Sequence, residues 1–179
     1  MELFVLSDRR FASLVEWQRA ISAEGFPLQL LSHTELATLH GSLPARLGVI
    51  PTGFEFAHVD ADDLMGKYSG INFGQRWRYA SSFRWDGADL YQNPAALMAS
   101  AAYARGTDGM VLDCVGGNLV TPQHIAEMAR EFETDIPLVQ EILRRVAERH
   151  EAPPSGDPSH SGADEPTHVV TGRWLNRPK

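Results

Sequence analysis

His58-Val59-Asp60-Ala61-Asp62-Asp63 is the stretch of this sequence whose residue types come nearest to a reaction centre. Side chains two residues apart in an extended chain share a face, so His58 and Asp60, with Asp63 close behind, can offer an imidazole and two carboxylates to one divalent ion. Such a site would serve a small metal-dependent hydrolase. The same letters also spell an exposed acidic turn with a helix cap inside it, and no second cluster of ligands accompanies them. The plainer reading is preferred. No catalytic residue is assigned, no metal or other cofactor is expected, and the balance leans away from an enzyme.

The remaining chemistry is thinner. Asp113-Cys114 with His124 downstream raises a thiol nucleophile, but a neighbouring carboxylate raises a thiol pKa and no activating cation is in view. A half-buried structural cysteine is expected instead. Gly106-Thr107-Asp108-Gly109 and Gly116-Gly117 fit neither phosphate-binding fingerprint and read as turns. Arg76, Arg78 and Arg84 alternate with aromatics and would line the wet face of a strand, where salt bridges are their expected fate. His33, His40, His124 and His150 are scattered beside expected helix ends, where capping or surface roles account for them.

These residues sit in a chain of 179 residues, 43% hydrophobic and 22% charged, enough for one packed core. The formal net charge is −7 and the pI about 5.4. A field of that sign repels nucleic-acid phosphates and anionic lipid, so neither is an expected partner, and it attracts a basic protein surface. The single cysteine permits no intrachain disulfide, and the N-terminal residues lack the pattern of a signal peptide. A cytoplasmic location is expected.

The elements that must hold any site read as follows. A strand over Glu2–Leu6 is followed by a helix capped at Ser7 or Asp8 and running to about Glu24, with Phe11, Leu14, Val15, Gln18 and Ile21 as its stripe and Trp17 beside it. Gly25 stops it, and Pro27–Leu31 is a second strand. Ser32 and Glu35 have capping-box spacing for a short helix. Residues 42–59 read as an irregular hairpin with Phe54 and Phe56 on one face and Glu55 on the other. A second strand–helix–strand unit starts at Gln75, where Trp77, Tyr79, Ser81, Phe83 and Trp85 alternate with the arginines. Its alanine-rich helix, from about Asn93, packs on that aromatic face. Strands at Met110–Asp113 and Asn118–Val120 follow, then a helix on Ile125, Met128, Ala129 and Phe132, and another restarted near Pro137 on Val139, Ile142, Leu143 and Val146.

The expected fold is therefore α+β, with two β–α–β units in a ferredoxin-like sandwich, an insertion at about 33–74 and appended C-terminal helices. Residues 1–150 form the domain. The segment 151–179 is rich in Pro, Gly and Ser, too poor in apolar residues before Val169 to pack, with a possible docking at 169–175.

MELFVLSDRRFASLVEWQRAISAEGFPLQL, LPARLGVIPTGFEF and the alanine-rich helix leading into Thr107, Gly109, Val111 and Asp113 together resemble small bacterial immunity proteins. These neutralise polymorphic or type VI secretion toxins. The resemblance implies a cytoplasmic inhibitor that binds a toxin or effector and carries no catalytic residues. The chain departs from it after the last strand, where Cys114-Val115-Gly116-Gly117 stands. A non-catalytic subunit of a larger assembly is the further alternative. The expected contact surface is the insertion: Asp60, Asp62 and Asp63, with Tyr68 and Glu55, as a charged rim around aromatic anchors. Phe54 and Phe56 belong either to that surface or to the core.

Overall fold

Leu3 and Val5 point to one side of the first strand, Phe4 and Leu6 to the other, and all four are buried. A strand apolar on both faces needs cover on both, which fixes a layered architecture around it. The computed structural model describes residues 1–151; the expectations for residues 152–179, including a docking of 169–175, lie outside the described residues. Strands run over Glu2–Ser7 (β1), Leu28–Leu30 (β2), His40–Leu47 (β3), Ile50–Val59 (β4), Tyr79–Arg84 (β5), Met110–Asp113 (β6) and Asn118–Val120 (β7). Helices occupy Leu14–Ala23 (α1), Ala61–Lys67 (α2), the alanine-rich Gln92–Gly106 (α3) and Pro122–Glu151 (α4). The seven strands of the described residues join one sheet in the order β2-β3-β4-β5-β1-β6-β7, and every neighbouring pair is antiparallel.

The expected α+β class holds, and the strand order shows how the two β–α–β units are used. β5 and β6 are parallel to each other with β1 between them. β4 is likewise parallel to β1, across β5. The central strands β4-β5-β1-β6 therefore have the split arrangement of a ferredoxin-like sandwich. The segment 33–74 is no excursion from this core. Its hairpin supplies β3 and β4, and its helix α2 covers part of the sheet's second face.

Helix α3 is buried from Pro94 to Ala104. A helix apolar all round belongs inside, and its alanines let it lie against the sheet with α1 and α4 on its flanks. Trp17 of α1 fills the space between α3 and the sheet. Its ring lies 5.0 Å from Phe56, 5.7 Å from Phe83 and 5.1 Å from Tyr103, and its Nε1–H donates to the Ala99 carbonyl at 3.0 Å. Each aromatic pair adds about 0.5–1.5 kcal/mol beyond the area it buries. Phe54 and Phe56 are 3% and 0% exposed and lie in this core, not on a binding surface.

The sequence motif Thr107-x-Gly109-x-Val111-x-Asp113 is architectural. The Thr107 hydroxyl donates to the Tyr103 carbonyl at 2.8 Å at the end of α3. A Cβ at Gly109 would stand 2.4 Å from the Leu6 carbonyl oxygen. Val111 is fully buried, and Asp113 accepts from the Val115 amide at 2.9 Å to turn the chain.

Three expectations need correction. Helix α1 starts at Leu14, not after Ser7. Ser13 caps it by accepting from the Glu16 amide, while the Glu16 carboxylate accepts from the Ala12 amide at 2.8 Å. The stripe accordingly turns on Trp17 and Ile21, leaving Val15 exposed. The regular strand begins at Tyr79, so the period-two count does not carry back to Trp77. Phe83 faces α3 as expected, whereas Trp77 is buried on the opposite face with Phe4, Leu6 and Leu64. Tyr79 is half-buried, with the guanidinium of Arg10 at 4.4 Å and that of Arg78 at 5.1 Å from its ring. Finally α4 runs through Pro137 as one helix. Ile125, Ala126 and Ala129 are its buried face, and Phe132 is 42% exposed; the side chains of Val139, Ile142, Leu143 and Val146 lie outside the described residues. Among the described residues no helix is long and apolar enough to cross a membrane.

Candidate functional site

The metal constellation drawn from the sequence is not assembled. Asp60 caps α2, its Oδ1 accepting from the Asp63 amide at 2.9 Å. Asp62 pairs with Arg76, which holds its carboxyl below the usual carboxylate range. His58 points elsewhere, into the α1–α3 side of the sheet. Among the described residues no three His, Cys, Asp or Glu side chains come together as a metal site.

The surroundings of His58 were not legible in the sequence, because its partners stand 22 and 23 residues away. Nε2 lies 3.0 Å from the Leu36 carbonyl and Nδ1 3.1 Å from the Ser81 hydroxyl. A carbonyl only accepts, so Nε2 carries the proton and Ser81 donates into the Nδ1 lone pair. Burial lowers the imidazole pKa, the Arg10 charge lowers it further, and the Leu36 carbonyl pulls the other way. That is the polarity of a serine–base pair. However, Ser81 is 1% exposed in mid-strand, so no substrate reaches it. Tyr103, fully buried beside the pair, has its phenol pKa raised by the same burial. Ser81 acts on it in the opposite direction, yet the phenol completes no hydrogen bond of good geometry.

Cys114 is equally quiet. Burial pushes the thiol pKa up, with Glu2 and Asp113 adding to the effect, while the Tyr68 hydroxyl, donating to Sγ at 3.6 Å, and Lys67 oppose it. The thiol stays protonated at neutral pH, as expected for a structural cysteine.

The five residues expected to contact a partner divide into two groups. Asp60, Asp62, Asp63 and Tyr68 lie on α2 or its ends, and Tyr68 is tied to Cys114 and to Phe4. Glu55 stands near the other end of β4, where it pairs with Arg84 at 3.3 Å. At that end the sheet is incomplete. β4 and β5 are paired from Val59 and Ala80 to Glu55 and Arg84, while β4 continues to Ile50 against β3. One more hydrogen-bonded rung would set Asp86 opposite Gly53. The chain turns off toward α3 instead, and the Asp86 amide donates to the Gln92 side chain at 3.1 Å.

The turn residues show which groups this leaves open. The two-residue connection Gly48-Val49 makes Leu47 and Ile50 a hydrogen-bonded pair. Ile50, Thr52 and Phe54 therefore bond to β3, and Pro51, Gly53 and Glu55 present their backbone toward β5. Pro44 agrees with this alternation, its carbonyl accepting from the Leu31 amide on the far side of β3 at 2.8 Å. Pro51 has no N–H to offer. Gly53 is thus left with an amide and a carbonyl facing a gap where β5 has ended.

That gap is a cleft of about 550 Å³ whose walls include Ser42, Thr52, Glu55, Arg84, Trp85 and Gln92. Three buried side-chain polar atoms among the described residues lack a hydrogen-bond partner, and two of them, Thr52 Oγ1 and Trp85 Nε1, belong to these walls. A buried polar group without a partner costs about 1–3 kcal/mol, so two at one place call for an explanation. The outer edge of β2 shows the contrast. There Gln18 donates to the Leu28 carbonyl at 2.9 Å and accepts from the Leu30 amide at 2.8 Å, closing the sheet edge with one side chain. Comparison with protein-family models, with curated proteins and with solved structures found no match.

Proposed function

We propose that this chain is a non-catalytic binding protein that neutralises a partner protein with a basic surface, in the manner of bacterial immunity proteins. The observation that carries the reading is the cleft beside Gly53, where backbone and side-chain polar groups stand unpaired at one place. Open backbone groups at a sheet edge, with unpaired side-chain polar atoms in the adjoining walls, are what an added segment would satisfy. The charge supports the sign of that partner. Residues 152–179 hold three acids (Asp157, Asp164, Glu165) and three bases (Arg173, Arg177, Lys179), so the whole −7 resides on residues 1–151. A surplus of that size steers a basic protein toward the surface and speeds encounter.

The cleft alone is too small for a lasting complex, which needs about 800 Å² from each partner. The outer face of the β3–β4 hairpin continues from it, with Ser42, Pro44, Arg46 and Glu55 exposed. The contact would spread there from an anchor in the cleft. Cytoplasmic residence fits a protein whose one thiol is unpaired.

Co-expression with the product of the adjacent reading frame in a bacterial host tests the function. Growth arrest by that product, relieved when this chain is present and accompanied by a purified complex of fixed stoichiometry, is the expected result. Arrest unchanged by this chain, with no complex formed, would overturn the proposal.

A further inference from the structure

We propose that the ligand of this cleft is an extended backbone segment of the partner, which adds as a short strand at Gly53 in the position β5 vacates. This deepens the binding function proposed above and rests on it. The register leaves one complete hydrogen-bonding position open, the Gly53 amide and carbonyl, spaced to receive the carbonyl and amide of one incoming residue. Pro51 follows with a carbonyl alone, so the added strand is held at one full rung and tapers toward the hairpin turn. The floor supplies the specificity. Thr52 Oγ1 and Trp85 Nε1 are sealed from water and unpaired in the free protein. Thr52 lines the cleft, and its hydroxyl must leave its buried position by a change of χ1 rotamer to meet the segment. Trp85 Nε1 is a donor only, and the indole must turn toward the cleft on binding to meet a second peptide carbonyl of the same segment.

The chemistry favours a peptide over a small polar molecule because the Gly53 amide and carbonyl and the Pro51 carbonyl lie two residues apart along one strand edge, the spacing an extended backbone matches. Glu55 stands on the face of β4 that an added strand would share. It is more than half exposed despite its pairing with Arg84, and can take a lysine or arginine of the segment. Gly53 itself is glycine for an internal reason, since a Cβ there would lie 2.9 Å from the Leu43 carbonyl oxygen. The close β3–β4 approach also keeps the rung clear of any side chain of its own.

The test is a ¹⁵N NMR titration of the full chain with end-capped heptapeptides of Val, Thr and Lys, and with the same peptides N-methylated at alternate amides. The Gly53 amide and the Trp85 indole N–H resonances should move together, and N-methylation should weaken binding at least about tenfold, the worth of roughly 1.4 kcal/mol. Thr52→Val should weaken it several-fold without lowering the melting temperature; Trp85→Phe should also weaken it several-fold, with some loss of stability because Trp85 packs on the core. Binding that leaves both resonances in place, equal affinity for the N-methylated peptides, or no binding at millimolar peptide would each overturn the inference. So would equal saturation of the same resonances by N-methylacetamide, which would make the cleft a small-amide site. If these arms fail while growth rescue persists, neutralisation stands and uses another surface. If rescue fails as well, the binding function falls with it.

Discussion

Replacing Gly109 with alanine should destabilise the protein, while the same change at Gly66 should stabilise it. At Gly109 the new methyl group would stand 2.4 Å from the Leu6 carbonyl oxygen, with Ser7 Cβ 3.1 Å away. Even a close C–H···O contact keeps carbon and oxygen about 3.3 Å apart, so β6 would have to back away from β1 by about 1 Å. The obstacle is backbone of the paired strand β1, where Leu6 opposes Met110, and no side chain can swing aside. Overpacking of this kind costs about 1–3 kcal/mol, and the rigid neighbour puts Gly109→Ala at the upper end. At about 2–4 °C per kcal/mol for a domain of this size, the melting temperature should fall by about 5–10 °C. Gly66 lies in α2 with nothing within 4 Å of its would-be Cβ. There alanine should gain about 0.5–1 kcal/mol from its higher helix propensity. Thermal and urea unfolding of both variants reads the two signs. A Gly109→Ala protein as stable as the parent would refute the close β1–β6 approach, and with it the architectural reading of the Thr107–Asp113 motif.

Gln18→Leu should cost about 1–3 kcal/mol by removing two hydrogen bonds from the edge strand. It should also raise self-association by light scattering, since β2 would then present an unblocked edge; parental stability with unchanged light scattering would deny the plug. The His58 pKa is lowered in the folded state, which favours the neutral ring. Its contribution to stability is complete above the unfolded value of 6.5 and is lost as pH falls below that through the folded value. Histidine NMR should accordingly find His58 still neutral, with its proton on Nε2, at a pH where exposed histidines are already charged. A ring that titrates with the others, or carries its proton on Nδ1, would contradict the Leu36 and Ser81 contacts.

Much of the fold was legible because local rules and tertiary packing agree over most of it. The Phe54–Phe56 face of β4, the stop at Gly25 and the buried alanine helix follow directly from period, glycine and side-chain size. Errors arose where a distant partner overrode a local pattern. Asp8 reads as a helix cap, but its carboxylate accepts from the Arg78 amide and the Gln75 side chain, 70 and 67 residues away. Arg9, bonded to the Gly106 carbonyl and paired with Asp108, fixes the loop that delays α1 to Ser13. Trp77 lies in a non-strand segment, where the two-residue alternation has no force. The polar exception Gln18 was visible as an oddity on its helix, yet its purpose depends on the edge of β2. Likewise the open rung at Gly53 exists only because β5 ends two residues before Asp86, a fact about register that no single stretch of sequence contains.

The central claim is that the partner seats in the cleft beside Gly53. Hydrogen–deuterium exchange of the complex with the product of the adjacent reading frame tests it most directly. Protection on binding should centre on residues 50–55 and 84–92, with the Gly53 amide among the most slowed, while the Asp60–Tyr68 helix exchanges as in the free chain. Protection confined to Asp60–Tyr68, with residues 50–55 unchanged, would contradict the account and return the contact surface to the acidic helix.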